Sequence, residues 1–219
     1  MLVISYYTPD GNYRAYADKL RASCDRFGIR HMIEELPSRG EWVRNIGLKP
    51  RFTLEKLQQT SGPVVWMDAD CEIMQKPTLL EDDRYDLMIY NWYAEPNPGV
   101  RFLDPTRLGA ASGVFKIGHS RAAVEFMRRW VGLCDLNPGA RDDVIMSYVF
   151  ETSRGLRLRT RWLPKAYNRM DSHWPGVTPV INHVYTDGTI FTDGAEVLRT
   201  TGIPVRETDI FGRGAAIKQ

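Results

Sequence analysis

The chain has 219 residues, 43% of them hydrophobic and 11% aromatic, a composition that supports a sizeable core and excludes a disordered protein. Its formal net charge is only +2, with acids and bases mixed along its length, which makes no electrostatic case for nucleic acid and does not exclude it. The length suits one α/β domain rather than two. The three cysteines, Cys24, Cys71 and Cys134, form no CxxC pair. That spacing argues against a disulfide framework and against a zinc site, and for reduced thiols in a cytoplasmic protein. The apolar start, Met1 to Ser5, has no positive leader and is too short for a signal peptide, and no apolar run is long enough to span a bilayer.

In chain order, Leu2 to Tyr7 reads as a buried strand, and Thr8-Pro9-Asp10-Gly11-Asn12 as a turn with helix-start chemistry. Tyr13, Ala17, Leu20, Cys24 and Phe27 recur at helical spacing, with Gly28 as the stop, and Ile29 to Glu34 is a second strand. Lys49 to Thr60 is helical with Pro50 in its first turn. Ser61-Gly62-Pro63 ends it, and the apolar strand Val64 to Met67 follows. Tyr85 to Asn91 is a strand, Asn91 to Pro105 a loop with three prolines, and Ala110 to Ile117 a strand. Arg121 to Cys134 and Arg141 to Phe150 are helices; Arg157 to Leu163 and Val180 to Val184 are short strands; the Gly/Ala-rich segment 212–219 frays as a flexible tail beyond a single domain, 1–211. Strands alternating with helices imply a central, mostly parallel mixed sheet flanked by helices, with ligands beyond the carboxyl ends of the strands.

Asp68 and Asp70 stand where the strand Val64 to Met67 ends. In an extended chain residues two apart face the same side, so both carboxylates point together. Acids directly after Val-Val-Trp-Met are costly unless paired or metal-bound. A hard divalent cation sharing its remaining positions with phosphate oxygens suits them, which points to an enzyme handling a nucleotide diphosphate. The reading fails if the two side chains turn from the cleft or are consumed by basic neighbours.

The order of motifs resembles a known family. A strand ending in Thr8 precedes a Tyr-led helix; Lys49-Pro50 opens a helix before Pro-Val-Val-Trp-Met-Asp-Ala-Asp; then come Ala111-Ser112-Gly113-Val114-Phe115, Asp142-Asp143-Val144-Ile145-Met146, Leu163-Pro164-x-x-Tyr167-Asn168, and Ile181-Asn182-His183-Val184. That series is similar to the GT-A, Rossmann-like glycosyltransferases, the nucleotide-diphospho-sugar transferases, and within them to the retaining, glycogenin-like branches. The resemblance implies Mn²⁺ or Mg²⁺ held by Asp68, Asp70 and His183 on the diphosphate of a donor, a UDP-sugar. It places Thr8 and Tyr13 at the base and ribose, Lys49 at the phosphates or sugar, and Ser112 and Gly113 along the donor sugar. It places Asp142 beside the reacting sugar. Asp143 stands where the family has Gln, so which of the two acids serves stays open.

Each residue also has a plainer role open to it. His183 fits a hydrogen-bonded core histidine, Tyr13 a core aromatic, Lys49 a solvated helix start, Ser112-Gly113 a close-packed strand. Asp142 and Asp143 suit a helix N-terminus by charge alone. Trp92, Tyr93, Trp162 and Trp174 serve as packing or as stacking platforms, with His173 a weak acceptor-site candidate. Arg157, Arg159 and Arg161, two apart, share one strand face; they form either a charge-protected edge or part of a phosphate-tracking surface. The last option keeps a phage-type DNA-base glycosyltransferase among the readings. A non-catalytic module that binds a nucleotide sugar is the alternative from another class. The acceptor is an unidentified hydroxyl on a glycan, lipid-linked sugar, protein, small molecule or modified base.

Overall fold

The computed structural model describes residues 1–60, 62–97, 100, 103–170 and 173–183. The expected domain end at 211, the tail 212–219, Val184, and part of the proline-rich loop lie outside the described residues.

Six strands form the main sheet in the order β2-β1-β3-β6-β5-β7. These are β1 (Leu2–Tyr7), β2 (Arg30–Glu35), β3 (Val64–Met67), β5 (Leu87–Asn91), β6 (Ala110–Ile117) and β7 (Thr160–Trp162). The pairs β1–β2, β1–β3 and β5–β7 are parallel, and β6 runs antiparallel to both β3 and β5. One reversed strand in an otherwise parallel sheet gives the expected mixed α/β architecture. A second, smaller sheet has the order β4-β9-β8, from β4 (Cys71–Ile73), β8 (Arg169–Met170) and β9 (Ile181–His183).

Strand alternation divides the core in two. Leu2, Ile4 and Tyr6 of β1, with Val64 and Trp66 of β3, face helices α3 (Lys49–Gln59), α4 (Arg121–Leu136) and α5 (Asp142–Thr152). Val3 and Tyr7, with Val65 and Met67, face α1 (Tyr13–Arg26) and the small sheet, where Cys71, Ile73 and Ile181 close the layer. The helix α4 shows why its sequence folds as it does. Ala123, Phe126, Met127, Trp130 and Cys134 recur on one buried face, and the Ser120 hydroxyl caps its start by accepting from the Ala123 amide at 3.1 Å. At the end of α1, Gly28 takes φ +63°, letting the Ile29 amide return to the Cys24 carbonyl at 2.9 Å.

Two expectations change here. A short helix, α2 (Trp42–Ile46), buries no residue and carries no apolar periodicity for the sequence to reveal. The arginine strand is also shorter than expected. Arg157 adopts a left-handed conformation, φ 51°, at the end of a 3-10 turn, so it shares no strand face with Arg159 and Arg161. Arg159 makes a two-point ion pair with Asp86 (2.9 and 3.0 Å), and Arg161 reaches Asp82 at 3.4 Å. These pairs neutralise charge along the edge strand β7, the protective role charged edges serve.

Candidate active site

The strand β3 stops at Met67. The Asp68 amide still donates to the Gly113 carbonyl at 2.8 Å, one step beyond the ladder, and then the chain turns. The Cys71 amide donates back to the Asp68 carbonyl at 2.9 Å, closing a four-residue turn that sends the chain into β4. Asp68 and Asp70 are therefore turn residues rather than successive same-face residues of a strand. The antiparallel pair β4–β9, which follows the turn, sets Cys71 directly opposite His183.

Gly113 fixes the geometry. A Cβ built there would lie 2.2 Å from Cε1 and 2.7 Å from Nε2 of His183, and 3.2 Å from Oδ2 of Asp68. The imidazole and that carboxylate oxygen thus press on the same point of β6, a close approach that only glycine permits. Donor atoms of Asp70, Cys71 and His183 lie within 4.8 Å of one another. At the carboxyl end of β3 the structure therefore turns Oδ2 of Asp68 and the His183 ring to one face of Gly113, and sets Asp70 beside Cys71 and His183.

Behind them lies a buried ionic floor. Lys49, 4% exposed in its side chain, places its ammonium 3.0 Å from Oδ1 of Asp68 and 3.0 Å from Oδ2 of Asp142, which is also 4% exposed. The ammonium also donates to the Ser112 hydroxyl at 3.2 Å and carbonyl at 3.3 Å, and the Ser112 hydroxyl donates to Asp142 at 2.9 Å. Lys49 thus lies among carboxylates rather than presenting a bare charge to a phosphate. Burial works against its ammonium, but the charges of Asp142 and Asp68 outweigh it and hold the lysine above its usual range. For Asp142, burial dominates and raises the carboxyl above its ordinary value, Lys49 opposing and Asp143 and Asp68 adding to the rise. A buried pair of this kind needs further hydrogen bonds to be tolerated, and Ser112 supplies them.

The Lys49 contact takes one oxygen of Asp68. The same oxygen, Oδ1, accepts from the Trp66 indole N–H at 2.8 Å. Oδ2 is the oxygen turned toward Gly113 and His183. The acid is paired on one side and presented on the other, so the ion pair does not consume it. Burial pushes the His183 imidazole below its usual value, with Asp68 opposing, so the ring is neutral and able to ligate. Burial raises the Cys71 thiol well above its usual value, the charges of Asp70 and Asp68 adding to the effect.

The remaining expected residues separate from this cluster. Asp143 turns to its neighbour Arg141, pairing at 2.6 and 3.0 Å, and accepts from the Val144 amide at 2.9 Å. Of the two adjacent acids, Asp142 is the one in the ionic floor. Thr8 is buried at the end of β1, the same sheet edge as Asp68, because β1 and β3 are parallel. The side chain of Asn45 on α2 gathers that corner, donating to Asp10 at 3.2 Å and accepting from the Arg39 amide at 2.7 Å. Tyr13 packs near Tyr16 on α1 and against the second core. Trp92, Tyr93 and Trp174 are buried together with Tyr90, ring centroids 5.0 to 5.5 Å apart where they meet, and His173 leans on Trp92 at 5.4 Å. Trp162 packs on Phe150 at 5.8 Å. Trp162 stays part-exposed.

Three contributors were not anticipated. Trp66 orients Asp68; its indole two residues before an acid is the only sequence hint. Trp130 donates to the Asp142 carbonyl at 2.9 Å and pins the start of α5. Cys71 joins the ligand cluster through strand pairing, which its neighbours in sequence do not disclose.

No protein-family model matches the sequence, and no curated protein does. Solved structures match the fold. One is a glycosyltransferase involved in the glycosylation of the major capsid of PBCV-1, with TM-score 0.61 and 14% identity over 92% of this chain and 98% of that one. Another is the glycosyltransferase GlyE of Streptococcus pneumoniae TIGR4, with TM-score 0.53 and 15% identity over 91% of this chain and 62% of that one. At such identities the likeness establishes the fold. Among the described residues, no helix is long and apolar enough to cross a membrane.

Proposed function

We propose that this protein is a metal-dependent glycosyltransferase that moves a sugar, with retention, from a UDP-type nucleotide sugar to a hydroxyl acceptor. The observation that carries the reading is the placing of Asp70 within 4.8 Å of His183, with Oδ2 of Asp68 turned to the same face of Gly113 as the His183 ring, at the carboxyl end of β3, where sheets of this class bind ligands. The likeness of the fold to two structures described as glycosyltransferases supports it.

The donor set fits Mn²⁺ or Mg²⁺. Two carboxylates and a neutral imidazole are hard to borderline ligands, and the cluster of Asp68, Asp70 and Asp142 outweighs the single charge of Lys49. A divalent cation held there supplies compensation for the negative charge that builds on a departing diphosphate. The chain's own residues do the rest. Lys49 and Trp66 hold Oδ1 of Asp68, which fixes Oδ2 as the outward ligand. Lys49 and Ser112 hold the carboxyl group of Asp142 in place in a buried setting, where it can orient donor hydroxyls or stabilise positive character at the anomeric carbon. Lys49 acts through these two acids, preorganising charge.

The test is donor hydrolysis. Chelator-treated protein is incubated with a panel of nucleotide sugars, with and without Mn²⁺, and diphosphate release is followed. Metal-dependent release of one nucleoside diphosphate, lost in Asp70→Asn, is expected. Tight nucleotide-sugar binding with no release under any acceptor would favour a binding module instead, and equal activity without metal would remove the cation from the account.

A further inference from the structure

The cluster holds one atom that the transferase reading does not use. Sγ of Cys71 lies 3.4 Å from Nε2 of His183, in a pair set face to face by the β4–β9 register. Bond lengths of about 2.3 Å to sulfur and 2.0–2.1 Å to nitrogen, at a tetrahedral angle, separate the two donors by about 3.5 Å. The observed separation is already that of two ligands on one small tetrahedral ion. A donor oxygen of Asp70 lies within 4.8 Å of both. A water completes the set of four. Among the described residues no other group of His, Cys, Asp and Glu meets this spacing.

We infer that Asp70, Cys71 and His183 form a binding site for a thiophilic tetrahedral cation, of which zinc is the biological example and cobalt a spectroscopic stand-in. Binding breaks the Cys71 S–H bond and forms a metal–thiolate bond, and the proton leaves to solvent. The absence of a CxxC pair argues against zinc from spacing alone; the site is instead assembled across two strands 112 residues apart in sequence. Because Asp70 and His183 are shared, zinc excludes the oxygen-preferring cation. Only this competition rests on the transferase reading; the binding does not.

Cobalt titration of the chelator-treated full chain tests the site. One equivalent of Co²⁺ should give tetrahedral visible bands and a thiolate-to-cobalt charge-transfer band, with release of one proton. The charge-transfer band should vanish in Cys71→Ser and persist in the Cys24→Ser/Cys134→Ser double variant, where Cys71 is the sole thiol. Zinc K-edge absorption of the unmutated protein, which needs no variant to fold, should report one sulfur at about 2.3 Å among nitrogen and oxygen neighbours. A zinc spectrum without sulfur, or a cobalt–thiolate band that survives Cys71→Ser, overturns the inference. Zinc should also release Mn²⁺ from the protein, seen as free-Mn²⁺ resonance. If no nucleotide sugar is ever hydrolysed, the transferase reading fails while the cobalt–thiolate band still stands or falls on its own.

Discussion

Lys49→Met is the most informative single change. It removes one ammonium from between two acids and leaves Asp142, 4% exposed, with the Ser112 hydroxyl as its remaining partner of those that face it here. Breaking a buried ion pair from one side costs about 3–5 kcal/mol, mostly the penalty of the stranded charge. Denaturant unfolding at neutral pH should show a loss of that order. The double variant Lys49→Met/Asp142→Asn leaves only the part-exposed Asp68, still bonded by Trp66, without its ammonium, and should recover more than half of the loss, a coupling measurable by a double-mutant cycle. The pH dependence follows from Asp142. Burial already raises its carboxyl above the ordinary 3.8, with Lys49 opposing. A carboxyl whose folded value is raised contributes stability that is full below the unfolded value and is lost as pH rises through the folded value. Without Lys49 the rise is larger, so the deficit of Lys49→Met is greatest at neutral pH and shrinks on acidification toward the ordinary carboxyl range. A single variant as stable as the parent, a deficit that does not shrink, or a double variant no better than the single refutes the buried triad.

Gly113→Ala would put a methyl 2.2 Å from the His183 ring, forcing the imidazole or β6 to move. Overpacking of this kind costs about 1–3 kcal/mol, and calorimetry should show Mn²⁺ affinity weakened by about tenfold or more; wild-type stability and affinity together contradict the contact. His183→Ala should raise the Mn²⁺ concentration needed for diphosphate release several-fold, whereas an unchanged metal titration returns His183 to a core role. Asp86 is held at about 2, burial opposing and the side chain and amide of Arg159 prevailing. Its stabilisation is present above the unfolded value and lost as pH falls through about 2, so Asp86→Asn should flatten the acid limb of the stability profile below pH 4; an unaltered limb removes this pair from the acid response.

What the sequence disclosed and what it hid have physical reasons. The bounds of β1 and β6 were legible because both are buried on both faces along nearly their whole length, and their sequences are mostly apolar or small. Asp68, Asp70, Ser112, Gly113, Asp142 and His183 were named from the motif order; Lys49 links Asp68, Ser112 and Asp142, Gly113 faces Asp68 and His183, and Asp70 lies beside His183. The form of their meeting was not legible. Period-two alternation placed Asp68 and Asp70 on a strand, but an acid pair at a strand end is also turn chemistry, and the Cys71-to-Asp68 bond makes the turn. Asp142 and Asp143 are adjacent on a helix, so one faces inward as the other faces Arg141; which one depends on the docking of α5, a tertiary fact. Lys49 reads from sequence as a helix start because the acids that bury it lie 19 and 93 positions away.

The most direct test is a crystal soaked with Mn²⁺ and UDP, examined by anomalous scattering. The account predicts one manganese peak ligated by Oδ2 of Asp68, by Asp70 and by His183, bridging to the diphosphate, with Lys49 still on Oδ1 of Asp68 and on Asp142. A diphosphate bound directly to Lys49 with no manganese peak, or a peak remote from these three side chains, would contradict it.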